Sequence, residues 1–193
     1  MKILGITTSG KTLSAAVTDG DTILSEKTFE ANRSHSVELL PTIKECLAAA
    51  NLTPEELDGI AVDIGPGSYT GIRIGIATAM GIAFPTGIPC CGVSSLEAMA
   101  YGKKKAIAIK PARGNLCYAA IFDKGKRITS DMIVDADKFT ESIAGDYPDF
   151  EIIRKVEFSA ANLCFLATNF RPASELRAAY LEPTKAEKDL TEK

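Results

Sequence analysis

Tryptophan is absent from the chain, and histidine occurs once, as His35. A zinc peptidase needs at least two imidazoles at helical spacing, so that chemistry lacks its ligands here. The five cysteines, Cys46, Cys90, Cys91, Cys117 and Cys164, contain no C-x-x-C pair. Their odd number and the adjacency of Cys90 and Cys91 suit neither a disulfide framework nor a metal site. Buried free thiols in a reducing compartment are expected instead. No apolar run is long enough to span a bilayer, so no membrane partner is expected. A basic surplus is also missing: 22 Lys and Arg stand against 25 Asp and Glu, a net charge of -3. The one tight basic cluster, Lys103-Lys104-Lys105, reads as a turn between two elements. Strong direct binding of RNA by this chain alone is therefore not supported. The start, Met1 to Ile6, lacks the length and cleavage pattern of a signal peptide and reads as a first strand, so a cytoplasmic location is expected.

What is present is ordinary globular material, 193 residues with 46% hydrophobic and 24% charged side chains. Such a chain can build one domain or two small lobes. Strands are expected at 2–8, 13–18 and 22–29, with Asp19-Gly20-Asp21 closing a hairpin. A helix follows over 34–51, with Val37, Leu40, Ile43 and Leu47 at helical spacing and Lys44 outward. Thr53 and Pro54 open a short helical turn as N-cap and first residue. Residues 60–64 form an apolar strand broken only by Asp63. A helix over 68–84, a strand over 88–93 and a short helix to Tyr101 come next. Strands at 106–110, 117–123 and 126–134 then repeat the opening meander, with helices at 135–143 and 159–170 around a lone strand at 150–153. The order of elements thus repeats, which points to two related lobes, 1–102 and a shorter 103–193 whose last helix can pack back on the first lobe. From Glu187 on, the tail is polar and expected to fray.

Gly65-Pro66-Gly67-Ser68 joins a buried strand to a helix. One reading is a phosphate cradle of Gly65, Gly67, Ser68 and Thr70 at a helix N-terminus. The other is a tight turn with Ser68 as N-cap, and physics alone favours it, because no lysine follows as in a P-loop. Within the helix, Gly71, Gly75 and Ala79 fall at four-residue spacing and leave a shallow groove that another helix can approach closely. Either a helix of the same lobe or a partner subunit fills that groove.

Gly-Pro-Gly-Ser-Tyr-Thr-Gly-Ile-Arg-Ile-Gly at 65–75 resembles the signature of the TsaB family, known earlier as YeaZ. Ile3 to Ser9, Ser34 to Pro41, Gly92 to Leu96, Ala112 to Asn115 before Tyr118, and Tyr180-Leu181 followed by Ala186 agree with it. The likeness is strong over residues 1 to about 120 and thin beyond, and the second lobe looks shorter than usual for the family. The resemblance implies an α/β fold of the actin/Hsp70/sugar-kinase type, with two ribonuclease-H-like lobes, each a mixed sheet with helices. It further implies a non-catalytic scaffold that pairs with a catalytic TsaD-type paralogue and a TsaE-type ATPase. That complex transfers a threonylcarbamoyl group to N6 of adenosine 37 in tRNAs reading codons that begin with A. Under this reading tRNA is met only through the complex, ATP and metal belong to the partner subunits, and homodimers form through the same helices.

The interface expected from those helices comprises His35, Leu39, Leu40, Pro41, Tyr69, Gly71, Arg73, Gly75 and Ala79. A bulky residue at Gly75 or Ala79 is expected to block assembly and spare the monomer's fold. The rival is a kinase-like phosphotransferase or ATPase using the Gly65–Ser68 loop. A catalytic member of this fold needs a carboxylate at the end of the first strand to hold metal and phosphate. Thr7 and Pro111 stand where the family often has acids, which leaves Asp63, Asp19 and Asp21. A glycoprotease-type metallopeptidase is the third reading, disfavoured by the single histidine. No catalytic residue, metal ligand or resident cofactor is assigned to this chain.

Overall fold

The computed structural model describes residues 1–32, 34–154 and 158–181, so the tail from Glu187 and the likeness at Ala186 lie outside the described residues. The opening meander is present as β1 (Lys2–Thr7), β2 (Thr12–Asp19) and β3 (Thr22–Glu30), paired antiparallel. β4 (Gly59–Asp63) and β5 (Cys90–Val93) extend the sheet in parallel, giving the order β3-β2-β1-β4-β5. β1 and β4 are apolar on both sides because helices cover both faces. On one face Leu4, Ile6, Leu13, Val17 and Ile60 pack beneath α1 (His35–Ala49) and α2 (Tyr69–Thr86). On the other, Ile3, Ala61, Cys91 and Val93 meet Leu163 and Cys164 of α5 (Ala160–Leu166). Leu4, Ile6, Leu13 and Ile60 are fully buried, and each contributes about 1.5–3 kcal/mol.

α1 buries Leu39, Thr42, Ile43, Cys46 and Leu47. That i, i+3, i+4, i+7, i+8 set is rotated from the stripe read from sequence. Val37 and Leu40, expected inward, are instead 71% and 46% exposed. The small side chains of Thr42 and Cys46 are what let this face sit close to the sheet, where Cys46 Sγ reaches the Ala15 carbonyl at 3.3 Å.

The second sheet holds β6 (Lys105–Pro111), β7 (Leu116–Asp123), β8 (Lys126–Arg127), β9 (Met132–Asp135) and β10 (Glu151–Ile153). β10 pairs parallel with β6, β7 antiparallel with β6, and β8 and β9 share the far edge of β7. The order third-second-first-fourth therefore recurs in both lobes. Side chains of β6 and β7 alternate: Ala106, Ala108, Ala120 and Phe122 meet α3 (Ser95–Ala100), while Ile107, Ile109, Ala119 and Ile121 meet α4 (Ala136–Asp146).

Two elements differ from expectation. The single strand over 126–134 is two strands, because Ile128–Asp131 bulges out of the ladder. Arg127 turns there to pair with Asp131, and also with Glu97 at 3.6 Å, while Thr129 Oγ1 accepts the Ile121 N–H at 3.0 Å. The helix over 159–170 stops at Leu166, where Ala167 is extended with ψ 113°. The chain then becomes a strap across the first lobe. The Phe170 ring occupies the space that a side chain on Gly59 would need, 2.3 Å from the position of such a Cβ. Arg171 bridges to Cys90, and the Ala179 N–H donates to Ile64 O at 2.8 Å. Among the described residues no helix is long and apolar enough to cross a membrane.

All five thiols are free and buried. Burial pushes Cys90 up to about 11 and Cys164 up to about 12. Since the thiolate is the nucleophile, a thiol reagent at neutral pH should label the native chain far more slowly than the denatured one. Rapid titration of several thiols without denaturant contradicts this burial.

Candidate functional site: an interlobe cleft and an outward helix face

Asp63 ends β4 and is 1% exposed. Thr7 Oγ1 donates to its Oδ2 at 2.7 Å, Ser9 Oγ donates to the same oxygen, and the Gly65 N–H donates to Oδ1 at 2.8 Å. Both oxygens are thus occupied by donors from β1, the β1–β2 loop and the loop before α2. Thr7, which stands in place of an expected acid, serves as a ligand to the remaining one. Asp19 pairs with the chain's own N-terminus at 2.9 Å, at the end of β2 away from Ser9, and Asp21 lies in the exposed hairpin turn. None of the three acids is free in the cleft, and among the described residues no group of His, Cys, Asp and Glu is arranged to hold a metal.

Above Asp63 opens a cleft of about 1120 Å³ between the lobes. Its walls come from Ser9–Thr12, the start of α2, the start of α1 and the β6–β7 loop. Lys110, the penultimate residue of β6, is 3% exposed and sends its Nζ across to Ser9 Oγ at 2.7 Å. Lys110, Ser9 and Asp63 therefore form a buried chain that joins the lobes. Sequence reading missed Lys110 and Ser9. The available signal was a cation closing the apolar run Ala106–Ile109.

Burial lowers the Lys110 pKa from its ordinary 10.5, and Asp63 partly restores it. A base with a lowered folded pKa binds its proton less tightly folded than unfolded. Its charge is costly at neutral pH, and that cost fades as pH rises from the depressed value toward 10.5. The unfolding free energy of the native chain, measured against Lys110→Met, should therefore rise over that window in paired urea titrations. A difference that stays flat with pH contradicts it.

The loop at 65–68 is a tight turn. Gly65 takes φ +103°, and Ser68 caps α2, its Oγ accepting the Gly71 N–H at 3.1 Å. Gly67, Ser68 and Thr70 face the cleft, whereas Gly65 is turned toward Ile72 and the Ala179 carbonyl. His35 lies half-buried at the cleft wall, where its buried Nε2 has no hydrogen-bond partner among the described residues.

The groove of Gly71, Gly75 and Ala79 faces inward, which corrects its assignment as a partner surface. A Cβ on Gly71 would meet Thr8 O at 2.0 Å, and one on Gly75 would meet Thr8 Oγ1 at 2.7 Å. Ala79 is fully buried. These small residues let α2 lie directly on its own sheet, and Thr8 Oγ1 donates to Gly71 O at 2.7 Å across that contact. Leu39, 1% exposed, is likewise core and not interface.

The outward stripe of α2 is Thr70, Arg73, Ala77, Gly81 and Phe84. Among the described residues nothing lies within 4 Å of where a Cβ on Gly81 would stand. Phe84 is 60% exposed. On α1, which packs against α2, Val37, Leu40 and Pro41 are exposed. Tyr69 and Arg73 stand in the first turns of α2, and Tyr180 of the strap lies on them. The two tyrosine rings are 4.8 Å apart, the Arg73 guanidinium sits 3.9 Å over Tyr69, and Arg73 Nε donates to the Tyr180 hydroxyl at 2.9 Å.

Two sheets of the same strand order, each faced by helices, with a cleft between them, make this a two-lobed α/β protein, the architecture expected of the actin/Hsp70/sugar-kinase type. Comparison with known proteins narrows that. A family model described as "TsaD: tRNA N6-adenosine threonylcarbamoyltransferase" matches residues 22–177, and the chain belongs to that family. The tRNA threonylcarbamoyladenosine biosynthesis protein TsaB of Bacillus subtilis is 41% identical over 100 residues, 52% of this chain and 44% of that protein. The Escherichia coli protein of the same name is 36% identical over 103 residues, 53% of this chain and 44% of its own length. The matches thus span less than half of these curated relatives. YeaZ from Pseudomonas aeruginosa superposes with a TM-score of 0.79 at 21% identity, over 93% of this chain and 99% of that one, which shows the shared fold.

Proposed function

We propose that the chain is a cytoplasmic, non-catalytic subunit of the machinery that makes threonylcarbamoyladenosine on tRNA. In this reading it binds and organises a TsaD-type catalytic paralogue, a TsaE-type ATPase joins them, and tRNA is engaged only by the assembly. The observation that carries the scaffold role is the outward face of α1 and α2. Val37 and Leu40 of α1 and Tyr69 and Phe84 of α2 are 71%, 46%, 38% and 60% exposed, and Ala77 and Gly81 of α2 are exposed as well. An apolar surface of this kind marks a protein contact. The three donors on Asp63, from Thr7, Ser9 and Gly65, support the non-catalytic half of the reading, because they compete with a metal for its oxygens. The names of the curated relatives support the pathway.

The test is depletion and add-back. A lysate depleted of the chain should lose threonylcarbamoyladenosine from its tRNA, measured by nucleoside mass spectrometry, and regain it with the purified protein. Retention of the modified nucleoside after complete depletion, or robust ATP hydrolysis by the isolated chain, would overturn the proposal.

A further inference from the structure

We propose that a pocket beside the start of β6, at the opposite end of that strand from the interlobe cleft, binds a small organic acid with a flat apolar body. The proposal does not depend on the role suggested above. The pocket holds about 580 Å³ between the end of α3, the β7–β8 turn and Leu166 of α5, a volume ordinary for a small-molecule site. Ala100, Tyr101, Phe122 and Leu166 make its apolar wall. Tyr101 is 42% exposed. Its ring is stacked on Phe165, with centroids 5.6 Å apart and planes 25° from parallel. An aromatic wall held in one orientation suits a second flat ring.

The rim carries the charge. Lys103, Lys104 and Lys124 line it, and Glu97 is the one carboxylate of the described lining. Lys103 is bonded to Glu151 at 2.9 Å, and Glu97 is paired with Arg127 at 3.6 Å. Lys104 and Lys124 have no ion pair or hydrogen bond among the described residues. Lys105 pairs across the ladder with Asp123, so these two lysines, each one residue further on, adjoin at the same strand ends. Like charges facing each other across strands repel, and an anion between them removes that repulsion.

The backbone adds a second observation. Lys124 and Gly125 form the two-residue β7–β8 turn, with φ of +52° and +72°. Such turns favour Asn-Gly, because a long side chain adopts the left-handed conformation at a cost. A lysine standing there points to a role outside the turn itself. That role is to hold an ammonium group over the pocket.

The donor set selects the ligand. Two unpaired ammonium groups act as point charges and suit a carboxylate. A neutral ligand would fill the apolar wall and leave their repulsion in place. A cationic one would add to it, since Glu97 is already paired.

The experiment titrates the full chain with indole-3-acetate and, separately, with uncharged indole, and follows the Gly102 and Gly125 amides by NMR. Saturable shifts at both amides are expected with the acid, and indole should bind at least about tenfold more weakly. Lys104→Glu, an exposed position, should weaken binding of the acid about tenfold with thermal unfolding unchanged. Lys124→Asn separates binding from structure. It should melt at or above the native temperature, because asparagine suits the left-handed turn, yet bind the acid severalfold more weakly. Absence of saturable shifts, equal affinity for indole, or unaltered affinity in either lysine variant would overturn the proposal.

Discussion

Gly75→Leu should destabilise the fold by more than about 3 kcal/mol, a large share of the roughly 5–15 kcal/mol typical of a domain. A Cβ alone at this position comes within 2.7 Å of Thr8 Oγ1 and 3.6 Å of Val62 Cγ2. Leucine would lever α2 off its own sheet and break the Thr8–Gly71 hydrogen bond. Gly81→Leu is the matched opposite. Its site is open, and replacing a mid-helix glycine by leucine favours the helix by roughly 0.5–1 kcal/mol. That variant should melt at or slightly above the native temperature yet fail to assemble with a TsaD-type partner, because the outward stripe is filled. Urea unfolding reads the first effect and complex formation the second. A Gly75→Leu chain with native stability would mean that α2 is rotated relative to the face described here.

The second large effect belongs to Asp63. Asp63→Ala leaves the Thr7 and Ser9 hydroxyls and the Gly65 N–H without their acceptor in a buried site, each costing about 1–3 kcal/mol if unsatisfied. It also removes the carboxylate nearest Lys110, leaving a buried cation whose neutralising charge is gone. The loss should be at least about 3 kcal/mol, the lower end of breaking a buried charged network. Asp63→Asn keeps one acceptor oxygen and should lose less. Equilibrium urea curves with unchanged slope decide it. Asp63→Ala within about 0.5 kcal/mol of the native chain, the range of an ordinary surface substitution, would show that the network is not stabilising.

Where local chemistry decides an element, the amino-acid sequence is enough to read it. The Asp19-Gly20-Asp21 hairpin, Ser68 as the cap of α2 and the repeated meander all follow from turn residues, capping oxygens and alternating apolar side chains. The inner face of α2 does not. Ile72, Ile74, Ile76, Met80 and Ile82 are distributed around the helix, so hydrophobic periodicity picks no side. Only the close approach at Thr8 reveals that the small residues face inward. α1 misleads for a related reason. Leu40 and Val37 look like core by spacing, but Thr42 and Cys46 are the residues that pack. Lys110 was hidden because its partner Ser9 lies 101 residues away in sequence, and a lysine ending a strand ordinarily reads as solvent-facing. The strap is hidden too, since nothing around Phe170 signals that its ring fills the gap at Gly59.

These corrections move the proposed docking surface from Gly71, Gly75 and Ala79 to the opposite side of the same helix, while Leu40, Pro41, Tyr69 and Arg73 stay on the accessible side. The most direct measurement of the central claim is the mass of the species formed when this chain is mixed with the TsaD-type paralogue of its own organism. The account predicts a stable heterocomplex that forms with the native chain and is lost with Gly81→Leu or Leu40→Asp, both still folded. A native chain that keeps its own mass in the mixture, or a complex that survives both substitutions, would contradict it.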